Sequence, residues 1–223
     1  MNQLVILQWK LSMYDMPGQG GTVFPLFSSP LYCAKDELSE DIVDFVVNSE
    51  WQRDQKMNYN GSCTTNQKML DDCPKLKALV EKHLNFYVYR VLNIETKYRL
   101  RHLCSWGTRH NTGDSAHKHS HCNSVYSGVV YIKTTDNCGR IVFHNEANRS
   151  SFITPTLNPD VNGRDIYNSN EWTLEPEDGM IVLFPSTLEH SVEANKSVSE
   201  RYSVAFNYWL HGNYGEFTNL LTI

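Results

Sequence analysis

A mainly β fold of the α+β class, a β-sandwich or jelly roll backed by N-terminal helices, is what this 223-residue sequence predicts. Three observations carry the prediction. Helical periodicity is confined to about residues 36–92. From about residue 97 the texture changes to short β runs, separated by Gly, Asn, Asp and Pro. Strands gathered after the helices, rather than alternating with them, point to α+β instead of α/β, and to stacked sheets with helices on one face. The length suits one domain spanning 1–223, with helical support over about 36–92 and a jelly-roll core over about 97–210.

The elements follow in order. The stretch MNQLVILQWKLSMYDMP holds a short apolar run, Leu4 to Leu7, without a basic n-region or cleavage signature, so no signal peptide is expected. Nowhere are there the ~20 consecutive apolar residues that span a bilayer. DELSEDIVDFVVNSEW (36–51) places Leu38, Ile42, Phe45 and Val46 at helical spacing. Asp36 is its candidate cap, and Glu37, Glu40 and Asp41 suit the dipole in the first turn. Residues 52–72 are polar and read as loop. Pro74 fits the first position of a second helix, whose apolar face comprises Leu76, Leu79, Val80, Leu84, Tyr87 and Val91. Then come the β runs. KYRLRHLCSWG alternates, with Tyr98, Leu100, His102, Cys104 and Trp106 expected on one side. SGVVYIK (127–133), GRIVF (139–143), GMIVLF (179–184) and RYSVAFNYWL (201–210) follow. The long connection over 145–171 is rich in Asn, Asp, Pro and Gly and is a candidate lid or surface insertion.

Composition narrows the function classes. Apolar residues make up 40% and aromatics 12%, enough for a sizeable core. The net charge of −5, with no basic run longer than a dipeptide, argues against nucleic acid as the main partner. The six cysteines, at 33, 63, 73, 104, 122 and 138, form no CxxC pair and are expected as reduced thiols. A soluble, cytoplasmic protein with no membrane partner is the expectation.

The densest chemistry lies in SAHKHSHC (115–122). In an extended segment His117, His119 and His121 would point the same way, with neighbours ~7 Å apart along the strand. That spacing lets two imidazoles converge on one metal ion. Imidazole suits Fe, Zn, Cu and Ni alike, so the cluster does not choose the metal. A second signal is His190, just beyond an apolar strand that ends at Pro185. The last strand is two-faced. Tyr202, Val204, Phe206 and Tyr208 face one way, and Arg201, Ser203, Ala205 and Asn207 the other. An interior Arg requires an anionic partner, because an unpaired buried charge is costly.

Together these residues resemble the 2-oxoglutarate/Fe(II) dioxygenases, in particular a prolyl-hydroxylase-like branch common in bacteria and phages. The matching elements are His119-Ser120-His121, Ser127-Gly128-Val129-Val130-Tyr131, Gly179 through Phe184-Pro185-Ser186, His190, and Arg201-x-Ser203 running to Phe206-Asn207. The resemblance implies a double-stranded β-helix and a hydroxylase that converts 2-oxoglutarate and O₂ to succinate and CO₂ while oxidising an unidentified substrate. It implies Fe(II) on His119, His121 and His190, and 2-oxoglutarate on Arg201 and Ser203 with Tyr131 and Asn207 beside them. For a phage-encoded chain the compartment would be the host cytoplasm.

One departure stands out. The family's triad is two histidines and a carboxylate, whereas His121 occupies the carboxylate slot, and neither Asp114 nor Asp136 has the spacing to replace it. Two other readings therefore accompany the first. One is a three-histidine dioxygenase that binds its substrate directly and uses no 2-oxoglutarate. The other is a non-catalytic jelly-roll binding or structural module. His110, His117 and His144 are expected to be surface histidines rather than supports of the site.

Overall fold

The computed structural model describes residues 14–16, 19–21, 28–53, 59–144 and 160–223. Two antiparallel sheets form the framework. The larger has seven strands in the order β1-β10-β7-β12-β5-β4-β2, and the smaller has five in the order β9-β8-β11-β6-β3. The larger comprises β1 (Tyr32–Lys35), β2 (Trp51–Arg53), β4 (Ser62–Thr64), β5 (Arg99–His110), β7 (Tyr126–Lys133), β10 (Met180–Pro185) and β12 (Arg201–His211). The smaller comprises β3 (Tyr59–Asn60), β6 (Ser115–His119), β8 (Ile141–His144), β9 (Glu171–Leu174) and β11 (His190–Val192). This is the mainly β jelly roll with helices on one sheet that the sequence predicts. No described helix is long and apolar enough to cross a membrane.

The helices are α1 (Glu40–Val47), α2 (Met69–Asp72) and α3 (Pro74–Phe86). α3 opens on Pro74, whose missing N–H lies where a helix has no partner for it. Its buried residues Leu76, Val80 and Leu84 join Ile42 and Val46 of α1 in one core cluster with Tyr202, Val204, Phe206 and Tyr208 of β12. The aromatic face of the last strand is thus the face the helices cover. A second cluster lies between the sheets and contains Tyr131, Ile141, Phe143, Met180, Val182 and Phe184.

Several boundaries differ from expectation. The cap residue of α1 is Ser39, not Asp36. Asp36 instead directly follows β1, its N–H bonding the Gly179 carbonyl at 3.1 Å and its carboxylate facing Lys82 and His83. The polar 52–72 segment is not plain loop, since it supplies β3, β4 and α2. Hydrophobicity alone did not reveal these, because short strands and a single helical turn carry no period. Val91, assigned to the apolar face of the second helix, is 49% exposed. There Tyr87–Val91 form a π turn, closed by Leu92 N–H on Tyr87 O at 2.9 Å, and the wider turn rotates Val91 outward. Of the connection over 145–171, residues 145–159 lie outside the described residues.

The alternation expected for residues 98–106 also breaks. Tyr208 pairs with His102 and Asn207 with Cys104, which leaves Leu103 as an extra residue, a β-bulge. Tyr98 and Leu100 therefore pack with the helices, and His102 lies beside Tyr208 with its Nδ1 3.1 Å from Asp71 of α2. Beyond the bulge Cys104 and Trp106 turn to the other face, toward the smaller sheet.

Candidate metal centre

The smaller sheet brings the histidines together. His190 opens β11 and His119 closes β6, and the two are register partners on neighbouring strands. His121 lies two residues past the end of β6. Its backbone N–H donates to the Ser186 carbonyl at 2.9 Å, which ties that loop to the end of β10. The potential ligand nitrogens of His119, His121 and His190 all lie within 4.8 Å of one another, and among the described residues no carboxylate belongs to the group. The sequence placed all three in one site, and the structure brings all three together.

His117 stays out, and the reason is local. Val192 pairs with Ala116 while His190 pairs with His119, so two residues of β11 oppose three of β6. This bulge resets the alternation between Ala116 and His119. His117 and Lys118 are left exposed, and His117 contributes only its carbonyl.

That carbonyl matters for the imidazole above it. His119 Nδ1 donates to His117 O at 2.7 Å, and His190 Nδ1 donates to Leu188 O at 2.9 Å. A carbonyl only accepts, so both rings carry a proton on Nδ1 and turn Nε2, the lone-pair nitrogen of the neutral ring, to the cluster. His121 differs, since its Nδ1 is 3.4 Å from Asn207 Nδ2 and its Nε2 is 3.3 Å from His190 Nε2. Burial, followed by the neighbouring His119, pushes His190 down to about 3 and His121 down to about 4. Both imidazoles are therefore neutral at physiological pH. Phe184 lies 4.7 Å and Phe143 6.1 Å from the His190 ring, while Trp106 lies 5.9 Å from His121. His119 is exposed, so the cluster opens to solvent on that side.

Arg201 stands at the start of β12, 2% exposed. Its guanidinium donates to Gly139 O at 3.1 Å and to His110 Nδ1 at 2.7 Å. Its Nε is buried without a hydrogen-bond partner, and among the described residues no carboxylate pairs with it. His110, expected at the surface, is 1% exposed. Burial, then Arg201 and Arg53, holds it well below its usual range, which keeps its Nδ1 an acceptor. Two neutral acceptors do not compensate a buried cation. Tyr131 lies with its ring 5.8 Å from the guanidinium carbon, and burial raises its hydroxyl to about 12, so it stays a donor. Ser203, the register partner of Tyr131, shares a 2.7 Å hydrogen bond with Thr108. Asn207 lies six residues further along β12, roughly 20 Å at 3.3 Å per residue, at the histidine end rather than beside Arg201.

His144 bonds Glu171 at 3.1 Å and Ser191 at 2.8 Å. Sequence reasoning missed Thr108, and it placed Ser127 and Ser186 in motifs without pairing them; the two are buried and 2.8 Å apart. Single hydroxyl residues carry no periodic signal, although Ser127 does share the inward face of β7 with Tyr131.

Comparison with known proteins agrees with this picture. Residues 104–207 match the model of a family described as "Putative 2OG-Fe(II) oxygenase". The resemblance to 2-oxoglutarate/Fe(II) oxygenases read from the motifs is thereby borne out over that stretch, which contains every residue of the candidate site. Among solved structures, the chain is similar to the non-heme alpha-ketoglutarate-dependent epimerase SnoN from nogalamycin biosynthesis, at TM-score 0.56 and 10% identity, covering 81% of this chain and 78% of that one. HygX from Streptomyces hygroscopicus, solved with nickel and 2-oxoglutarate, aligns at TM-score 0.54 and 10% identity over 81% and 83% of the two chains. A Pseudomonas putida prolyl-4-hydroxylase aligns at 0.50 and 15% identity over 83% and 95%. At such identities these likenesses show a shared fold. No curated protein matches the chain.

Proposed function

We propose that this chain is an Fe(II)- and 2-oxoglutarate-dependent oxygenase that hydroxylates a substrate still to be identified, yielding succinate and CO₂ from 2-oxoglutarate and O₂. The observation that carries the proposal is Arg201. A fully buried guanidinium with neutral partners and an orphaned Nε calls for a carboxylate delivered from outside the protein. A dicarboxylate that also reaches the histidines meets that need.

The donor set fits a first-row metal. Three imidazoles, two with Nδ1–H fixed by carbonyls, would hold it through Nε2. Imidazole also suits Zn, Cu and Ni, and the choice of iron follows from the family match and the Arg201 pocket. Iron held there would activate O₂, with 2-oxoglutarate as the source of electrons. The chain's own residues orient and enclose. Arg201 would grip the distal carboxylate through its planar fork, with the Tyr131 and Ser203 hydroxyls alongside. Phe143 and Phe184 keep water from the inner side of His190. The exposed flank at His119 is where the substrate would approach.

All six cysteines are free thiols, which supports a reducing, cytoplasmic setting. The order of motifs supports the prolyl-hydroxylase-like branch.

Anaerobic titration with Fe(II) and then 2-oxoglutarate, followed by O₂-dependent succinate formation, tests the proposal. Arg201→Leu is expected to abolish succinate formation and cosubstrate binding while metal affinity stays within a few-fold. A metal spectrum indifferent to 2-oxoglutarate would refute it. The absence of a carboxylate from the cluster among the described residues favours one rival, a three-histidine dioxygenase with Arg201 on a substrate carboxylate. That enzyme would consume O₂ with its substrate and leave 2-oxoglutarate untouched, and a non-catalytic module would consume neither.

A further inference from the structure

We propose that Asn207 is a positioning residue that decides which nitrogen of His121 carries the proton, and that turning its carboxamide converts His121 into a metal ligand. The proposal rests on the metal-centre reading above. Asn207 is 7% exposed on the inward face of β12, paired with Ser127 on one side and Cys104 on the other. Its Oδ1 accepts from Ser127 Oγ at 2.7 Å. Its Nδ2 points at His121 Nδ1, 3.4 Å away, and at Cys104 Sγ, 3.5 Å away. Ser127 in turn shares a 2.8 Å bond with Ser186, whose carbonyl holds the His121 backbone N–H. A polar chain thus wraps the back of His121, beside the apolar cluster of Phe143 and Phe184 between the sheets. Such buried networks require every member to be satisfied, which makes their directions informative.

An amide nitrogen donates and does not accept. His121 Nδ1 must then accept from Asn207, and a neutral imidazole with an accepting Nδ1 carries its proton on Nε2. That Nε2 is the atom 3.3 Å from His190 Nε2. His190 already carries its own proton on Nδ1, against Leu188 O. The two rings therefore share an Nε2–H···Nε2 contact, and with this orientation of the Asn207 carboxamide His121 has no Nε2 lone pair to offer.

A half-turn of the carboxamide changes this at little steric cost, since its oxygen and nitrogen ends have nearly the same size. Oδ1 then faces His121 Nδ1, which takes the proton, and Nε2 is freed. His121 becomes equivalent to His119 and His190, each with Nδ1–H on an oxygen acceptor. Nδ2 now donates to Ser127 Oγ, the Ser127 hydroxyl turns to Ser186, and the Cys104 thiol can donate to Oδ1. The chain of bonds survives with its direction reversed. A histidine in the slot of a carboxylate needs such an acceptor behind it, and Asn207 supplies it from the other sheet.

The test uses the full chain, wild type, Asn207→Asp and Asn207→Leu, with two readouts. Long-range ¹H–¹⁵N NMR assigns the His121 tautomer without metal, and Co(II) titration followed by its visible absorption gives affinity. Metal-free wild type is expected as the Nε2–H tautomer and Asn207→Asp, which only accepts, as Nδ1–H. Asn207→Leu should weaken Co(II) binding by about 10–100-fold, the usual effect of losing such a support, with Asn207→Asp restoring it. A His121 tautomer identical in wild type and Asn207→Asp, or equal affinities in all three proteins, would overturn the proposal while leaving the metal centre intact. A wild type that binds no metal would remove the metal-centre reading and this proposal together.

Discussion

At the scale of single residues, the site depends on side chains whose neighbours leave them little freedom. Gly128 is one. A Cβ there would lie 2.6 Å from Phe206 Cζ and 2.7 Å from Leu183 Cδ2, and both rows are buried. Gly128 is flanked in β7 by Ser127, which bonds Asn207. Gly128→Ala is therefore expected to destabilise by about 1–3 kcal/mol, as overpacking does, read as a lower denaturation midpoint at unchanged m-value. An unchanged midpoint would mean that Phe206 yields without strain. Arg201 is the opposite kind of residue, one whose surroundings stop short of satisfying it. Its buried cation has only neutral acceptors in Gly139 O and His110 Nδ1, and under the proposed function the cosubstrate carboxylate would complete the set.

At the scale of elements, two β-bulges do the positioning. Leu103 in β5 lets one strand serve the helices at Leu100 and His102 and the inter-sheet space at Cys104 and Trp106. The irregularity between Ala116 and His119 in β6 turns His119 toward His190 and leaves His117 outside. The helices have a different role, which is to cover the far face of the larger sheet. Leu76, fully buried in the cluster with Val204, Phe206 and Tyr208, tests that separation. Leu76→Ala should cost about 2–5 kcal/mol in stability, yet the folded fraction should bind Co(II) with wild-type stoichiometry. Loss of metal binding in protein that remains folded would show that helix packing reaches the site.

At the scale of the whole molecule, burial of neutral histidines links stability to pH. His190 falls to about 3 and His121 to about 4 when folded, against about 6.5 in an unfolded chain. Below that value the unfolded state takes up protons that the folded state refuses. The stability contributed is thus fully present above about pH 6.5 and is lost as pH falls toward 4 and 3. His110, also held low, acts in the same direction. Between pH 7 and pH 5 the metal-free protein should lose about 2 kcal/mol through His190 alone, measured by chemical denaturation at the two pH values. Equal or greater stability at pH 5 would contradict the burial assigned to these rings. The carboxylates held low, such as Asp36 and Glu193, add their own loss only nearer pH 4.

What the sequence by itself determined is whatever depends on short-range order. Helical spacing located α1 and α3, and Pro74 marked the start of α3. The alternation of β12 assigned Tyr202, Val204, Phe206 and Tyr208 to one face and Arg201, Ser203, Ala205 and Asn207 to the other. The histidine motif with His190 marked the centre. Only the tertiary structure decided what depends on the partner strand. A bulge adds one residue without a change of residue type, so the faces of His102, His117 and His119 were not legible from alternation. His110 looked like a surface histidine because nothing local says that Arg201 lies across from it. Asn207 looked like part of the Arg201 pocket because both share one face of one strand. Strand rise carries it roughly 20 Å away, to the back of His121, where register, not sequence proximity, sets its chemistry.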